Sequence, residues 1–144
     1  MGSNLLSSDE KPISSMVKVV WTNGCFDLLH AGHLHILKES RQLGDKLVVG
    51  LNTDEAVRKL KGPDRPKKKY RFRRQALLNT GLVDEVIPIG VSPIDGIIDT
   101  KPDIITKGDD YKESEVIGHE YAEVRIIRRL PGHSTTRLVS TRKT

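Results

Sequence analysis

At 144 residues the chain is one domain's worth, long enough to bury roughly two thirds of its unfolded surface around a single core. Apolar residues are 36% and aromatics 4%; no apolar run approaches the roughly 20 residues of a membrane helix, and a lone cysteine, Cys25, excludes an internal disulfide, so the cytoplasm is expected. The net charge of +5 is local, since Arg58 to Arg74 holds ten Lys or Arg and one acid, Asp64, against 14 basic and 18 acidic residues elsewhere; that argues for a local anion site and against a nucleic-acid surface.

Residues 1–16 carry no signal-peptide core and no Ser or Thr at position six for N-myristoylation, and read as a flexible leader or tag remnant with Met16 a natural start. Residues 17–144 then form one domain. Val17 to Trp21 reads as a buried strand, and a helix is expected from Gly32 to Leu43. Between them His30 and His33 stand three residues apart around Gly32, where the free N–H groups of a helix N-terminus face outward and suit a phosphate.

Lys46 to Asn52 is a second buried strand, because its apolar run is continuous rather than alternating. Asp54 is expected to cap a short helix through Lys59. The basic segment Lys61 to Lys69, broken by Gly62, Pro63 and Pro66, reads as a mobile loop. A helix over Tyr70 to Asn79, a strand over Val83 to Ile89 and a short helix over Pro93 to Asp99 follow. Pro102 to Lys107 leads into a fourth strand, with Gly108-Asp109-Asp110 at its carboxyl end, and Val124 to Ile127 is a fifth. The alternation predicts an α/β fold, a Rossmann-like doubly wound parallel five-stranded sheet in three α/β/α layers. Ligands bind such sheets beyond the strands' carboxyl ends, where four polar segments converge: the His30/His33 loop, Asn52 to Asp54, Lys107 to Asp109, and Arg128 to Thr136.

Neither G-x-G-x-x-G nor G-x-x-x-x-G-K-[ST] occurs, so the dinucleotide and Walker phosphate devices are absent and histidine must serve instead. The segment Cys25 to His33 matches the H-x-G-H signature, and the chain resembles the nucleotidyltransferase superfamily of cytidylyl- and adenylyltransferases. Gly132-His133-Ser134-Thr135-Thr136 resembles that family's G-x-S-T-T motif, Gly108-Asp109-Asp110-Tyr111 its G-D-D segment, and Val83 to Pro88 its third strand. The likeness runs from Val17 to Val139. Thr22 to Asp27, Leu60 to Pro66 and Lys107 to Lys112 look most like the adenylyltransferase branch that makes ADP-heptose; Arg129 and Val83 to Pro88 look more like glycerol-3-phosphate cytidylyltransferase.

The resemblance implies transfer of a nucleoside monophosphate from a nucleoside triphosphate to a phosphorylated acceptor, with pyrophosphate released. His30, His33, Lys61 and Arg74 are then the expected catalytic residues. Asn23, Gly24, Cys25, Phe26, Gly32, Gly108, Asp109, Arg129, Ser134, Thr135 and Thr136 join the histidines in binding nucleotide. Asp27, Lys59, Lys61 and Arg74 are expected to bind the acceptor. Magnesium is expected on the triphosphate with no protein ligand, and the resemblance implies a homodimer, with no membrane or nucleic-acid partner.

Plainer readings stand beside these. Most lysines of the basic run read as solvated, Ser134 to Thr136 could be a helix cap alone, and Asp27 could cap a loop or bond an acceptor hydroxyl. A zinc site lacks a second ligand pair at metal spacing. The family often has an acid two residues before the arginine matched to Arg74; here that position is Phe72. That departure leaves a catalytically silent nucleotide-binding module as the alternative.

Overall fold

The computed structural model describes residues 17–129. Strand β1 (Val19–Gly24) is followed by α1 (Ala31–Gln42), β2 (Lys46–Asn52), α2 (Asp54–Lys61) and α3 (Tyr70–Asn79). Then come β3 (Glu85–Ile89), α4 (Ile94–Thr100), β4 (Ile104–Gly108), a 3-10 turn at Glu113–Glu115, and β5 (Glu123–Ile127). The five strands are parallel in the order β3-β2-β1-β4-β5, the doubly wound sheet that the βαβ alternation predicts.

Each strand's alternation divides its side chains between two cores. Val20, Leu47, Val49, Leu51 and Ile104 face α1 and α3 and pack with Leu37 and Leu77; Trp21, Val48, Ile89 and Ile105 face α4 and pack with Ile97. Helices therefore cover both faces. Among the described residues no helix is long and apolar enough to cross a membrane.

Strand order reverses at β1, and the pairing there is uneven. β1 stays in register with β2 from Val19 to Gly24, but pairs with β4 only at Val20 with Ile104 and Trp21 with Ile105. Beyond those pairs the carboxyl ends of β1 and β4 leave room for a crevice.

Several boundaries differ from the pattern reading. β1 starts two residues later and runs to Gly24, because the Lys18 amide is taken by the Asp45 carboxylate at 2.8 Å. α2 extends to Lys61 and stops at Gly62, whose φ of 115° suits glycine. Its cap is Thr53, whose hydroxyl accepts from the Ala56 amide at 3.2 Å, and not Asp54. The Asp54 carboxylate is engaged elsewhere, by the Arg73 guanidinium at 2.7 Å and the Tyr70 amide at 2.9 Å.

Trp21 is fully buried, with its indole N–H donating to Asn23 Oδ1 at 3.0 Å, and two glycines make room for its ring. A Cβ on Gly50 would lie 2.4 Å from Trp21 Cζ2, and one on Gly96 2.7 Å from Cη2. Gly50→Ala is expected to destabilise the fold by about 1–3 kcal/mol through overpacking. Gly90→Ala, where nothing lies within 4 Å of the added carbon, should leave the urea midpoint nearly unchanged.

Candidate active site

A cleft of about 740 Å³ opens beyond the carboxyl ends of β1 and β4. The loop from β1 to α1 forms its floor, from Asn23 through His33, with Asn52 of β2, Lys61 of α2, and Lys107 and Tyr111 around the end of β4. This is the edge where the four polar segments were expected to meet.

His30 is the N-cap of α1, a position usually held by Ser, Thr, Asp or Asn. Its Nδ1 accepts from the amides of Gly32 at 3.1 Å and His33 at 3.4 Å. An accepting Nδ1 puts the neutral ring's proton on Nε2, so capping also sets the tautomer and leaves Nε2–H as a donor. The His30 and His33 rings stack, with centroids 3.8 Å apart and planes 20° from parallel. A Cβ on Gly32 would lie 3.0 Å from His30 Cε1, so glycine suits this turn.

His33 is held neutral: burial first, then the neighbouring His30, lower its pKa from 6.5 to about 4. Its Nδ1 is buried and bonds to no described residue. The Phe26 ring packs against it at 5.1 Å, with the Phe26 backbone at a left-handed φ of 45°. A non-glycine residue held there costs on the order of 1–3 kcal/mol, which the surrounding contacts must offset.

Asp27 is buried, and its carboxylate accepts from Arg65 Nε at 2.9 Å and the amides of Lys67 at 2.7 Å and Lys68 at 2.9 Å. Burial pushes Asp27 up, but the two amides and the guanidinium outweigh it and hold it below the ordinary carboxylate value. Of its two sequence readings, the geometry matches the loop cap. It clamps the basic loop beside the cleft and places Arg65 on the lining, which Lys61 joins from the end of α2.

The arginine that enters the interior is Arg73 and not Arg74. Arg74 is exposed on α3 and does not line the cleft, because the helical turn that carries Arg73 inward carries its neighbour outward. Lys59 is also exposed, 3.7 Å from Glu55 one turn back. Arg73 donates to the carbonyls of Cys25 at 2.9 Å, Asn52 at 2.8 Å and Lys68 at 2.8 Å, besides its pair with Asp54. Cys25 lines the cleft with Sγ 3.4 Å from Asn52 Oδ1, and burial raises its pKa against the pull of Lys61 and Arg73. A protonated thiol suits a packing role.

Asp109 and Arg129 meet each other, Arg129 Nε donating to Oδ1 at 2.8 Å and its amide to Oδ2 at 3.1 Å. That amide, more than the burial opposing it, holds Asp109 low. With His35 Nε2 2.8 Å from the Arg128 carbonyl, the chain leaving β5 is tied to α1 and to the end of β4. Ser134, Thr135 and Thr136 lie outside the described residues.

Asn52, Arg65, Lys107 and Tyr111 line the cleft; the sequence places them within the converging or family-like segments but assigns none of them a role. Lys107 carried one signal, a charged residue closing the otherwise uncharged strand Ile104-Ile105-Thr106. Among the described residues the site offers two stacked imidazoles, cations and a helix N-terminus to an elongated anion, and no activated nucleophile.

The cytidylyltransferase-like family model matches residues 21–142. The chain is 45% identical over 124 residues to the bifunctional protein HldE of Helicobacter hepaticus and 48% identical over 124 residues to that of Campylobacter concisus, each match covering 85% of this chain and 26% of the relative. The chain thus spans about a quarter of the length of these curated relatives. The solved lipopolysaccharide core biosynthesis protein from Thermoplasma volcanium is 34% identical, with a TM-score of 0.66 over 79% of this chain and 97% of that one. Pantothenate synthetase from Thermus thermophilus, 15% identical with a TM-score of 0.56 over 78% of this chain and 55% of that one, shares the fold.

Two outcomes test this geometry. Because His33 binds its proton more weakly folded than unfolded, its contribution to stability is full above 6.5 and lost as pH falls toward about 4. His33→Gln should flatten the decline of urea midpoints across that window. Arg73→Leu leaves the carbonyls of Cys25, Asn52 and Lys68 and the Asp54 carboxylate without this donor, and should cost about 3–5 kcal/mol in the same measurement.

Proposed function

This chain belongs to the cytidylyltransferase-like family, and on that premise we propose that it is a nucleotidyltransferase that moves AMP from ATP onto heptose 1-phosphate and releases pyrophosphate. The observation that carries the reading is the stacked His30/His33 pair at the N-terminus of α1, sharing one cleft with Lys61. The likeness to the Thermoplasma lipopolysaccharide protein supports a sugar phosphate acceptor. The Leu60 to Pro66 run, which resembles the ADP-heptose branch, supports heptose.

In this reaction a phosphate oxygen of the acceptor attacks the α-phosphorus in line. The new P–O bond forms as the bond to the bridging oxygen breaks, and that electron pair leaves with pyrophosphate. No side chain is alkylated or phosphorylated, and no proton transfer is required at the attacking oxygen. Catalysis then consists of positioning and of stabilising the charge that builds on the phosphate oxygens.

His30 Nε2–H and the His33 ring contact the α- and β-phosphate oxygens, where the helix N-terminus adds its partial positive charge. Lys61 reaches the same oxygens from the end of α2. Backbone groups from Asn23 to Phe26 cradle the nucleotide, Asp109 and Arg129 serve its base and ribose, and the family resemblance assigns Ser134 to Thr136 to the triphosphate. The paired Asp27 and Arg65 hold the basic loop at the rim of the cleft, and the exposed Lys59 and Arg74 take no part. Magnesium accompanies the triphosphate as part of the substrate. Its ligands would be phosphate oxygens and water.

Pyrophosphate release, assayed with ATP, CTP and GTP against heptose 1-phosphate and glycerol 3-phosphate, tests the reading. Turnover is expected to be fastest with ATP and heptose 1-phosphate. A folded protein that releases no pyrophosphate from any pair overturns it in favour of a silent nucleotide-binding module; preference for CTP and glycerol 3-phosphate moves it to the cytidylyl branch. His30→Ala should lower kcat by about a hundredfold, the effect of removing one donor that acts mainly in the transition state.

A further inference from the structure

The residue before the last of strand β4 is Lys107, which the assignments above leave unused. Along β4 the Thr106 hydroxyl points to α1, 2.7 Å from the Ser40 hydroxyl, so Lys107 leaves the sheet toward the opposite layer, that of α4. It lines the cleft from the α4 face of the sheet, whereas His30 and His33 stand at the N-terminus of α1 on the other face. There the ammonium reaches the Asn23 carbonyl at 3.4 Å and lies 4.9 Å over the Tyr111 ring.

Those contacts are weak for a group with three N–H donors. One long bond to a carbonyl and one aromatic face leave donors free toward the cleft, and no carboxylate among the described residues forms an ion pair with it. Burial lowers the pKa of Lys107, opposed by Asp110 and Cys25. A cation taken out of water without a partner is poised for an anion.

The reaction needs two anions in one cleft, and the attacking phosphate must approach the α-phosphorus from the side opposite the leaving pyrophosphate. On the α1 side the histidines and Lys61 meet the triphosphate. Arg65 is engaged by Asp27, and among the described cationic side chains of the cleft Lys107 is the one on the α4 face of the sheet; Val91, Pro93 and Ile117 line the same cleft.

We infer that Lys107 binds the phosphate of the acceptor and holds its attacking oxygen across the cleft from the histidines. The inference rests on the nucleotidyltransferase reading and adds a substrate contact to it. Lys107 neutralises repulsion between two phosphates, and no bond to its nitrogen forms or breaks. Tyr111 and the apolar residues beside it meet the acceptor's carbon skeleton.

Lys107→Met keeps the length of the side chain and removes the charge. With the nucleotide and acceptor pair that the unaltered protein turns over, the expected result is a KM for the acceptor raised about tenfold or more, the loss of one charge-assisted hydrogen bond. The KM for the nucleotide stays unchanged, and Lys107→Arg recovers part of the loss. Thermal unfolding should show K107M folded, since it relieves a buried charge; if K107M does not fold, K107Q is read on the same scale. An unchanged acceptor KM, or a rise confined to the nucleotide, overturns the inference while leaving the nucleotidyltransferase reading intact. Absence of turnover in the unaltered protein overturns both.

Discussion

The Arg73 guanidinium ties together the segments that build the cleft. Its side chain is fully buried, and its donors reach the carbonyl ends of β1 and β2, the carbonyl of Lys68 in the basic loop, and the Asp54 carboxylate at the start of α2. A planar group with five fixed donors can hold several acceptors at once, which a lysine on the same stem cannot. Asp54 supplies the counter-charge that makes burial tolerable. That pairing also moves the cap of α2 back to Thr53, so a local helix boundary is decided by a tertiary ion pair.

The cleft built on this support is asymmetric. Its α1 side presents a helix N-terminus whose cap is an imidazole, so one side chain both ends the helix and offers a donor of fixed tautomer. Stacking with His30 and packing against Phe26 keep His33 neutral at ordinary pH, ready to respond when phosphate charge arrives. A site whose donors are already in place reorganises little during reaction, which is the physical basis of charge stabilisation in phosphoryl-type transfer. The strained Phe26 backbone is consistent with a loop shaped by what it must hold.

The basic run divides by contact. Lys67 and Lys68 give their amides, not their charges, to Asp27, and their side chains stay with solvent. Arg65 comes to the cleft through that same clamp, and Lys61 from the end of α2. A charge surplus confined to one loop is thereby converted into two placed cations and an exposed remainder.

The strand and helix alternation, the parallel sheet and the edge where ligand residues converge were legible in the sequence, because continuous apolar runs and helical periodicity reflect interactions between near neighbours. So was the His30/His33 turn, whose capping and stacking span only a few residues. Tertiary structure decided which of two adjacent arginines goes inside, whether Asp27 faces loop or ligand, and why Lys107 matters. Those outcomes depend on contacts 19 to 84 residues apart in the chain, and on strand alternation counted from a register that only the assembled sheet defines. Neighbouring residues of the same charge look alike in sequence; buried acceptors tell them apart.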